Sequence, residues 1–218
     1  MLATEISFYE DKCGYIDGNT TETAYFIAEN VSEEELEYLL SAGYRRFGGF
    51  FFNNICPHCR KCRPIRVLTD EFVPSKSQRR NINKNRDIEV AFIPLEFKDE
   101  IFEIYKEHSL FRFGKDERSL DDFVETFYNL KNPGYQSEYY IDGKLAGVGF
   151  LDKSSSGLSS IYFIYKKDTL KYGLGTFSVI KEIELAKNLG LKYYYLGYYI
   201  EENSFMNYKI NFKPNEFF

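Results

Sequence analysis

Three cysteines fall within seven residues, Cys56-Pro57-His58-Cys59-Arg60-Lys61-Cys62, and a fourth, Cys13, stands far upstream in Cys13-Gly14-Tyr15. Two thiolates spaced C-x2-C reach one metal ion from a tight turn, and Pro57 favours such a turn. Cys13, Cys56, Cys59 and Cys62 are therefore a candidate ligand set for zinc or an iron–sulfur cluster, with His58 as an alternative fourth ligand. The competing reading is a group of free thiols whose pKa values the neighbouring Arg and Lys lower. A disulfide framework is not expected, because nothing in the chain suggests secretion. The second chemical feature is charge. From Cys56 to Arg86 there are nine Lys or Arg (Arg60, Lys61, Arg63, Arg66, Lys76, Arg79, Arg80, Lys84 and Arg86) against Asp70 and Glu71. That stretch carries +7 in a chain whose total is −5. One concentrated basic segment suits an anion or phosphate chain held in one place rather than a general nucleic-acid coat. The bland alternative is a solvated basic face. Only two histidines exist, His58 and His108, neither in a triad-like setting, and no Ser or Cys nucleophile motif is visible.

These groups must be positioned by a core, and the chain has the material for one. Hydrophobic residues make up 44% of 218 residues, with 19 Tyr, 21 Phe and no Trp, which excludes a disordered chain. No apolar run approaches the ~20 residues of a membrane span. The first residues show no basic stretch followed by an apolar one, so no signal peptide is expected and a cytoplasmic location follows.

Residues 1–97 read as a smaller α/β region that carries the cysteines, and 98–218 as a second unit. In the first, Glu5–Tyr9 forms a short extended segment. Ser32 caps a helix through Leu40, with Glu35 completing a capping box. Tyr44–Phe52 reads as one aromatic strand, Arg66–Leu68 as a short one, Ser75–Arg80 as the start of a basic helix and Ile88–Ile93 as a strand. In the second, Glu100–Leu110 and Leu120–Leu130 have helical spacing. Gln136–Tyr140 and Lys144–Leu151 alternate around Asp142-Gly143, a hairpin signal, and Leu158–Tyr165 is a third strand. Gly173-Leu174-Gly175 precedes a helix over Thr176–Leu189, and Leu191–Leu196 is a further strand. The fold class is α+β. The order in the second unit matches the mixed sheet with flanking helices of acetyl-CoA N-acetyltransferases (GNAT-like), in which the amides of a glycine loop and a helix N-terminus bind a pyrophosphate. The acetyltransferase loop usually has Arg or Gln three residues before its first Gly; here that place is Leu170.

Four colinear blocks carry a more specific likeness. They are Tyr44-Arg45-Arg46-Phe47-Gly48 with Cys56-Pro57-x-Cys59-x2-Cys62-x-Pro64-x-Arg66; Phe72-x-Pro74-Ser75-x-Ser77-Gln78-Arg79-Arg80 with Asn85; Leu158-Ser159-Ser160-x-Tyr162-Phe163 with Gly173-Leu174-Gly175-Thr176 and Ile183-Glu184; and Tyr195 to Ile200 with Met206-x-Tyr208-Lys209 and Phe212-x-Pro214. Together they cover most of the chain, which resembles the bacterial relatives of arginyl-tRNA–protein transferase, the aspartate/glutamate leucyltransferases. It departs from that pattern at Glu107-His108, where an Arg-His pair is common. The eukaryotic relatives carry two cysteines near the start; here Cys13 stands alone and Ile16 takes the second place.

The resemblance implies transfer of leucine from Leu-tRNA to the α-amine of a protein beginning with Asp or Glu, which marks it for N-terminal-rule degradation. Arginyl transfer and acetyl-CoA-dependent acetyl transfer are the alternatives, and a non-catalytic zinc module that binds RNA is a third. An aminoacyl ester is already activated and an α-amine has a pKa of ~7.7–8.0, so no cofactor is required for the chemistry. Positioning and oxyanion stabilisation should dominate. On this reading Arg79 and Arg80 receive the acceptor's carboxylate, while Ser75, Ser77 and Gln78 orient its terminus. Gly173, Leu174 and Gly175, with Lys84 and Arg86, hold the tRNA end. Tyr198, Tyr208 and Lys209 are the candidate catalytic groups.

Overall fold

The structure is a computed structural model that describes residues 1–114, 119–128 and 134–218. The first part of the chain forms a five-stranded sheet from β1 (Leu2–Ala3), β2 (Ser7–Lys12), β3 (Thr20–Glu29), β4 (Arg45–Phe47) and β5 (Phe50–Asn54). Helix α1 (Glu33–Ser41) lies between β3 and β4, and Ser32 and Glu35 form the expected capping box. The expected aromatic strand over 44–52 is instead two strands. Gly48 takes a left-handed φ of +56°, and a Cβ there would sit 2.5 Å from the Glu125 carbonyl oxygen, so the chain turns at Gly48-Gly49 and pairs β4 with β5.

The remaining strands build a seven-stranded sheet in the order β12-β6-β11-β10-β9-β8-β7. These are β6 (Arg63–Leu68), β7 (Glu89–Pro94), β8 (Tyr135–Ile141), β9 (Lys144–Lys153), β10 (Gly157–Tyr165), β11 (Tyr193–Tyr199) and β12 (Asn215–Phe217). The sheet thus draws strands from both sides of residue 98. Asp142 and Gly143 both have positive φ, the geometry that matches the twist of a two-residue hairpin. Helix α2 (Lys76–Lys84) and helix α5 (Leu174–Asn188) cover one face, where Val179, Ile180 and Ile183 pack on Ile65, Leu158 and Tyr194. Helices α3 (Asp99–Phe113) and α4 (Leu120–Phe127) cover the other, with Ile104, Phe123 and Phe127 on Val148, Phe150 and Ile164. The expected helix over Leu120–Leu130 is seen as far as Phe127; Leu130 lies outside the described residues. Among the described residues no helix is long and apolar enough to cross a membrane.

One pair of neighbours in the large sheet is parallel, β10 with β11, joined through α5. This is the strand–turn–helix–strand unit of the acyltransferase fold expected from the sequence. The parallel pairing lasts for three residues, from Gly157–Tyr193 to Ser159–Tyr195. Beyond it, β10 shifts register against β9 between Ser160 and Tyr162, and β11 shifts against β6 between Tyr195 and Gly197. Such irregularities bend a strand, and here the two strands diverge and open a gap in the middle of the sheet.

Candidate active site

A cleft of about 500 Å³ occupies that gap. β10 supplies Ser160, Ile161, Tyr162, Phe163 and Tyr165, and β11 supplies Leu196, Gly197 and Tyr198. On one side the start of α5 contributes Gly173, Gly175 and Thr176. On the other, Arg45, Phe47 and Phe52 come from the small sheet, and His108, Arg112 and Phe113 from the end of α3. Phe205, Met206, Tyr208 and Lys209 close the floor.

Strand alternation explains the pair Arg45-Arg46. Successive side chains of β4 face opposite ways, so Arg46 enters the core and Arg45 the cleft. Arg46 is 5% exposed and its guanidinium grips the 1%-exposed Asp152 of β9 through two bonds, one of them Nε to Oδ2 at 2.9 Å. Its charge is thereby neutralised. Arg45 donates to Ser159 Oγ at 2.7 Å and to the Ser160 carbonyl, so it braces the strand just where β10 leaves β11. It also lies against Gly197, where an added Cβ would come within 3.3 Å of Arg45 Nε; burial lowers its pKa. Arg112 stacks its guanidinium on Phe205 at 4.7 Å and has no acidic partner among the described residues.

The three expected catalytic groups all line the cleft, with different commitments. The Tyr198 hydroxyl donates to the Gly43 carbonyl at 2.9 Å and accepts from Asn54 N, so it ties β11 to the small sheet, and burial raises its pKa further above the usual range. Among the described residues the Tyr208 hydroxyl has no hydrogen-bond partner, and burial lifts its pKa to about 12. Lys209 Nζ donates to the Tyr198 carbonyl at 2.8 Å and to Met206 Sδ at 3.3 Å. Burial, then the nearby Arg45 charge, pulls its pKa down to about 7.

Gly173 and Gly175 also line the cleft, while Leu174 is 1% exposed and packs in the core with Phe177 and Tyr139. Gly173 has a φ of +63° and starts α5 without a side-chain cap or an acidic first turn. By contrast α1, α2 and α4 are capped by Ser32, Ser75 and Ser119. The open amides of an uncapped helix start suit an anion. Helix α2 runs beside this turn: Asn81 Nδ2 donates to the carbonyls of Tyr172 and Gly173, Asn85 Nδ2 to that of Tyr172, and Lys84 Nζ to that of Lys171.

The remaining substrate-binding candidates stand outside the cleft. Ser75 caps α2, and Gln78 closes its capping box and donates to the Asn211 carbonyl at 3.2 Å, 4% exposed. Ser77 bonds to Ser75. Arg79 and Arg80 are exposed and donate to carbonyls of their own helix region, those of Pro74 and Lys76. Arg86 is exposed beside Asp87. The thiols of Cys13, Cys56 and Cys59 all act electrostatically on Cys62, whose pKa burial raises to about 11, so the four cysteines share a neighbourhood. Cys56 Sγ, however, bonds to the Glu22 amide at 3.4 Å, and among the described residues no three His, Cys, Asp or Glu side chains are arranged to hold a metal ion. Among the described residues lining the cleft there is none of the four cysteines.

His108, outside the candidate site residues of the sequence, also lines the cleft. Its ring is 3% exposed, its Nδ1 is unpaired, and the rings of Tyr165, Phe111, Tyr162 and Phe113 surround it. Burial, helped by Arg112, lowers its pKa to about 4. It stands one helical turn before Arg112, so the i, i+4 spacing on α3 was the signal that both face one way.

Residues 100–218 match the family described as "Arginine-tRNA-protein transferase, C terminus", and residues 11–80 match its N-terminal counterpart. The chain belongs to the arginine-tRNA-protein transferase family. Among its relatives, the aspartate/glutamate leucyltransferase of Campylobacter jejuni (strain 81116) is 36% identical over 99% of this chain and 93% of its own length. The one from Helicobacter hepaticus is 34% identical, with 97% and 91% covered, and that from Marinobacter nauticus 30%, with 94% and 88%. Among solved structures, FemX superposes with a TM-score of 0.53 at 8% identity, covering 91% of this chain and 81% of FemX. L-PGS from Bacillus licheniformis gives 0.52 at 14% identity, covering 78% of this chain; the transferase chain spans about half of that protein's length, 51%. These two likenesses concern the fold alone.

Proposed function

We propose that this transferase moves a leucyl group from Leu-tRNA to the α-amine of proteins that begin with Asp or Glu, a reading supported by its relatives' being aspartate/glutamate leucyltransferases. One observation carries the reading to this chain: the cleft in the split sheet is lined by Arg45, Arg112 and Lys209 and, among the described residues, by no Asp or Glu. Such a site attracts a carboxylate-bearing chain end and repels a cationic one. The absence of an acid along the described lining also argues against an arginyl donor, whose guanidinium would sit there unpaired at high cost. The aromatic wall of Phe47, Phe52, Phe113, Tyr162 and Phe205 suits an isobutyl side chain.

The gap lets two substrates meet from opposite faces of the sheet. On the α5 face, the open start of the helix at Gly173 receives a 3′-terminal phosphate or ribose, near Lys84, whose Nζ reaches the Lys171 carbonyl. On the other face, Arg112 offers a planar fork to the acceptor carboxylate. The free Tyr208 hydroxyl is the available donor for the oxyanion that develops as the amine attacks the ester carbonyl. Arg79 and Arg80 belong on this reading to the phosphate-facing rim rather than to acceptor recognition.

The test uses purified protein, peptides starting with Asp, Glu, Asn or Gln, and labelled Leu-tRNA, Arg-tRNA or acetyl-CoA. Transfer of leucine to the Asp and Glu peptides is expected. Transfer only from acetyl-CoA or Arg-tRNA, or none, overturns the proposal.

A further inference from the structure

We infer that Lys209 works as a neutral amine that takes a proton from the acceptor's α-ammonium group. This assignment rests on the transfer reaction proposed above. Its ground is the way Nζ is held. Lys209 is 7% exposed at the floor of the cleft and, among the described residues, pairs with no carboxylate. Its two acceptors are the Tyr198 carbonyl and Met206 Sδ. The Tyr198 carbonyl needs this donor: the facing residue of β6 is Pro64, which has no N–H, and β10 no longer pairs at that height. An ammonium has three N–H donors and an amine two plus a lone pair. Two acceptors therefore match the amine and leave its lone pair for an incoming proton.

The charges around it point the same way. Arg45 on β4 faces Lys209 with a like charge, and Arg46 beside it is already spent on Asp152. From α3, Arg112 adds a second positive charge to the same cleft and His108 a neutral ring. Tyr198 on β11 and Tyr208 next in the chain are phenols kept protonated by burial, and Glu182 of α5, behind Tyr208, is lifted to about 7. Burial and Arg45 bring the Lys209 ammonium down from 10.5 to about 7. An effective base has a pKa close to the operating pH, and the acceptor amine titrates at ~7.7–8.0. His108, at about 4, is too weak, and Tyr208, at about 12, holds its proton.

In the step itself, one N–H proton of the α-ammonium passes to Lys209 Nζ. The freed lone pair attacks the ester carbonyl carbon, a C–N bond forms, and the bond from that carbon to the ribose oxygen breaks. The second proton shed by the nitrogen ends on the departing ribose oxygen, and Lys209 returns its own to solvent.

The experiment compares wild type, Lys209→Arg, and protein with thialysine placed at 209, in leucine transfer to an Asp-initiated peptide from pH 5.5 to 9. Arginine keeps a donor for the Tyr198 carbonyl and never gives up its charge. It should lower kcat by ~100-fold or more with little change in KM, the scale of a lost general base. Thialysine carries a less basic amine and should retain activity while the acidic limb of the kcat profile moves to lower pH. A structural lysine would not move that limb. An Arg variant within a few-fold of wild type, or a thialysine profile that stays in place, overturns the assignment; if the Arg variant does not fold, the thialysine profile decides alone. A wild type that transfers no leucine overturns the function proposed above and this assignment with it, whereas an active wild type with unaltered variants removes only Lys209.

Discussion

Removing Asp152 should loosen the joint between the two sheets and, through it, the cleft. Arg46 and Asp152 form a buried pair, 5% and 1% exposed, that links β4 to β9. In Asp152→Ala the guanidinium keeps, among the described residues, only the Gly48 carbonyl at 2.6 Å and remains a buried charge with no counterion among them. Breaking a buried pair from one side costs ~3–5 kcal/mol, a large share of the ~5–15 kcal/mol that typically holds a fold together. With a urea m-value of ~2–3 kcal/mol/M the midpoint should fall by ~1–2 M. The assay is urea unfolding followed by circular dichroism at pH 7.5. The double variant Arg46→Met/Asp152→Leu removes both charges and should recover most of the loss, since a well-packed apolar pair replaces a buried ion pair at little cost. Leucine transfer should follow stability only in part, because Arg45, next in the strand, braces β10 through Ser159 and Ser160. A single-variant loss below ~1 kcal/mol, or a double variant no better than the single, would refute this account of the joint.

Arg112→Gln should remove the charge-assisted contact to the acceptor, worth ~1.5–3 kcal/mol. KM for Asp and Glu peptides should rise ~10–100-fold and discrimination against Asn and Gln peptides should shrink, read by competitive transfer. His108 gives a stability term with a defined sign. Its folded pKa of about 4 lies below the reference 6.5, so the unfolded chain binds more protons between the two and stability falls as pH drops through that window. The loss should reach ~3 kcal/mol by pH 4, and His108→Phe should flatten that part of the profile in pH-dependent denaturation. Glu182 runs the other way. Its pKa is raised from 4.5 to about 7 by burial, against the pull of the Tyr194 and Ser137 hydroxyls. Its contribution is complete below 4.5 and is lost as pH rises through 7. Glu182→Gln should therefore stabilise the protein at pH 8 by up to ~3 kcal/mol while changing little at pH 5, measured by urea titration at both.

Local signals in the sequence were strong where chemistry is local. The capping box of Ser32–Glu35 and the turn at Asp142-Gly143 need only neighbours a few residues away, and the structure has both. The break of residues 44–52 into a hairpin depends on Gly48 meeting the backbone of α4, a contact between segments far apart. The strand β3 went unread because Thr20, Thr21, Glu22 and Thr23 disguise its alternation until Ala24, Phe26 and Ala28 enter the core. The cleft gathers Arg45, the pair His108 and Arg112, Ser160 and Lys209 from four separate elements, so spacing along the chain could not assemble it. The visible clue was Arg45-Arg46 inside an aromatic strand, where period-two alternation sends one charge each way. On α2, where the sequence suggests acceptor binding through Ser75, Ser77, Gln78, Arg79 and Arg80, a basic helix gives no indication of which face meets a substrate.

The account stands on where leucine and the acidic terminus meet. A crystal structure of the protein soaked with a non-hydrolysable 3′-leucylamido-adenosine and an Asp-initiated peptide tests it most directly. The adenosine ribose should lie at Gly173, the leucyl carbonyl between β10 and β11 beside Tyr208, and the peptide's carboxylate on Arg112. Density for both ligands elsewhere, with the gap between the two strands empty, would contradict it.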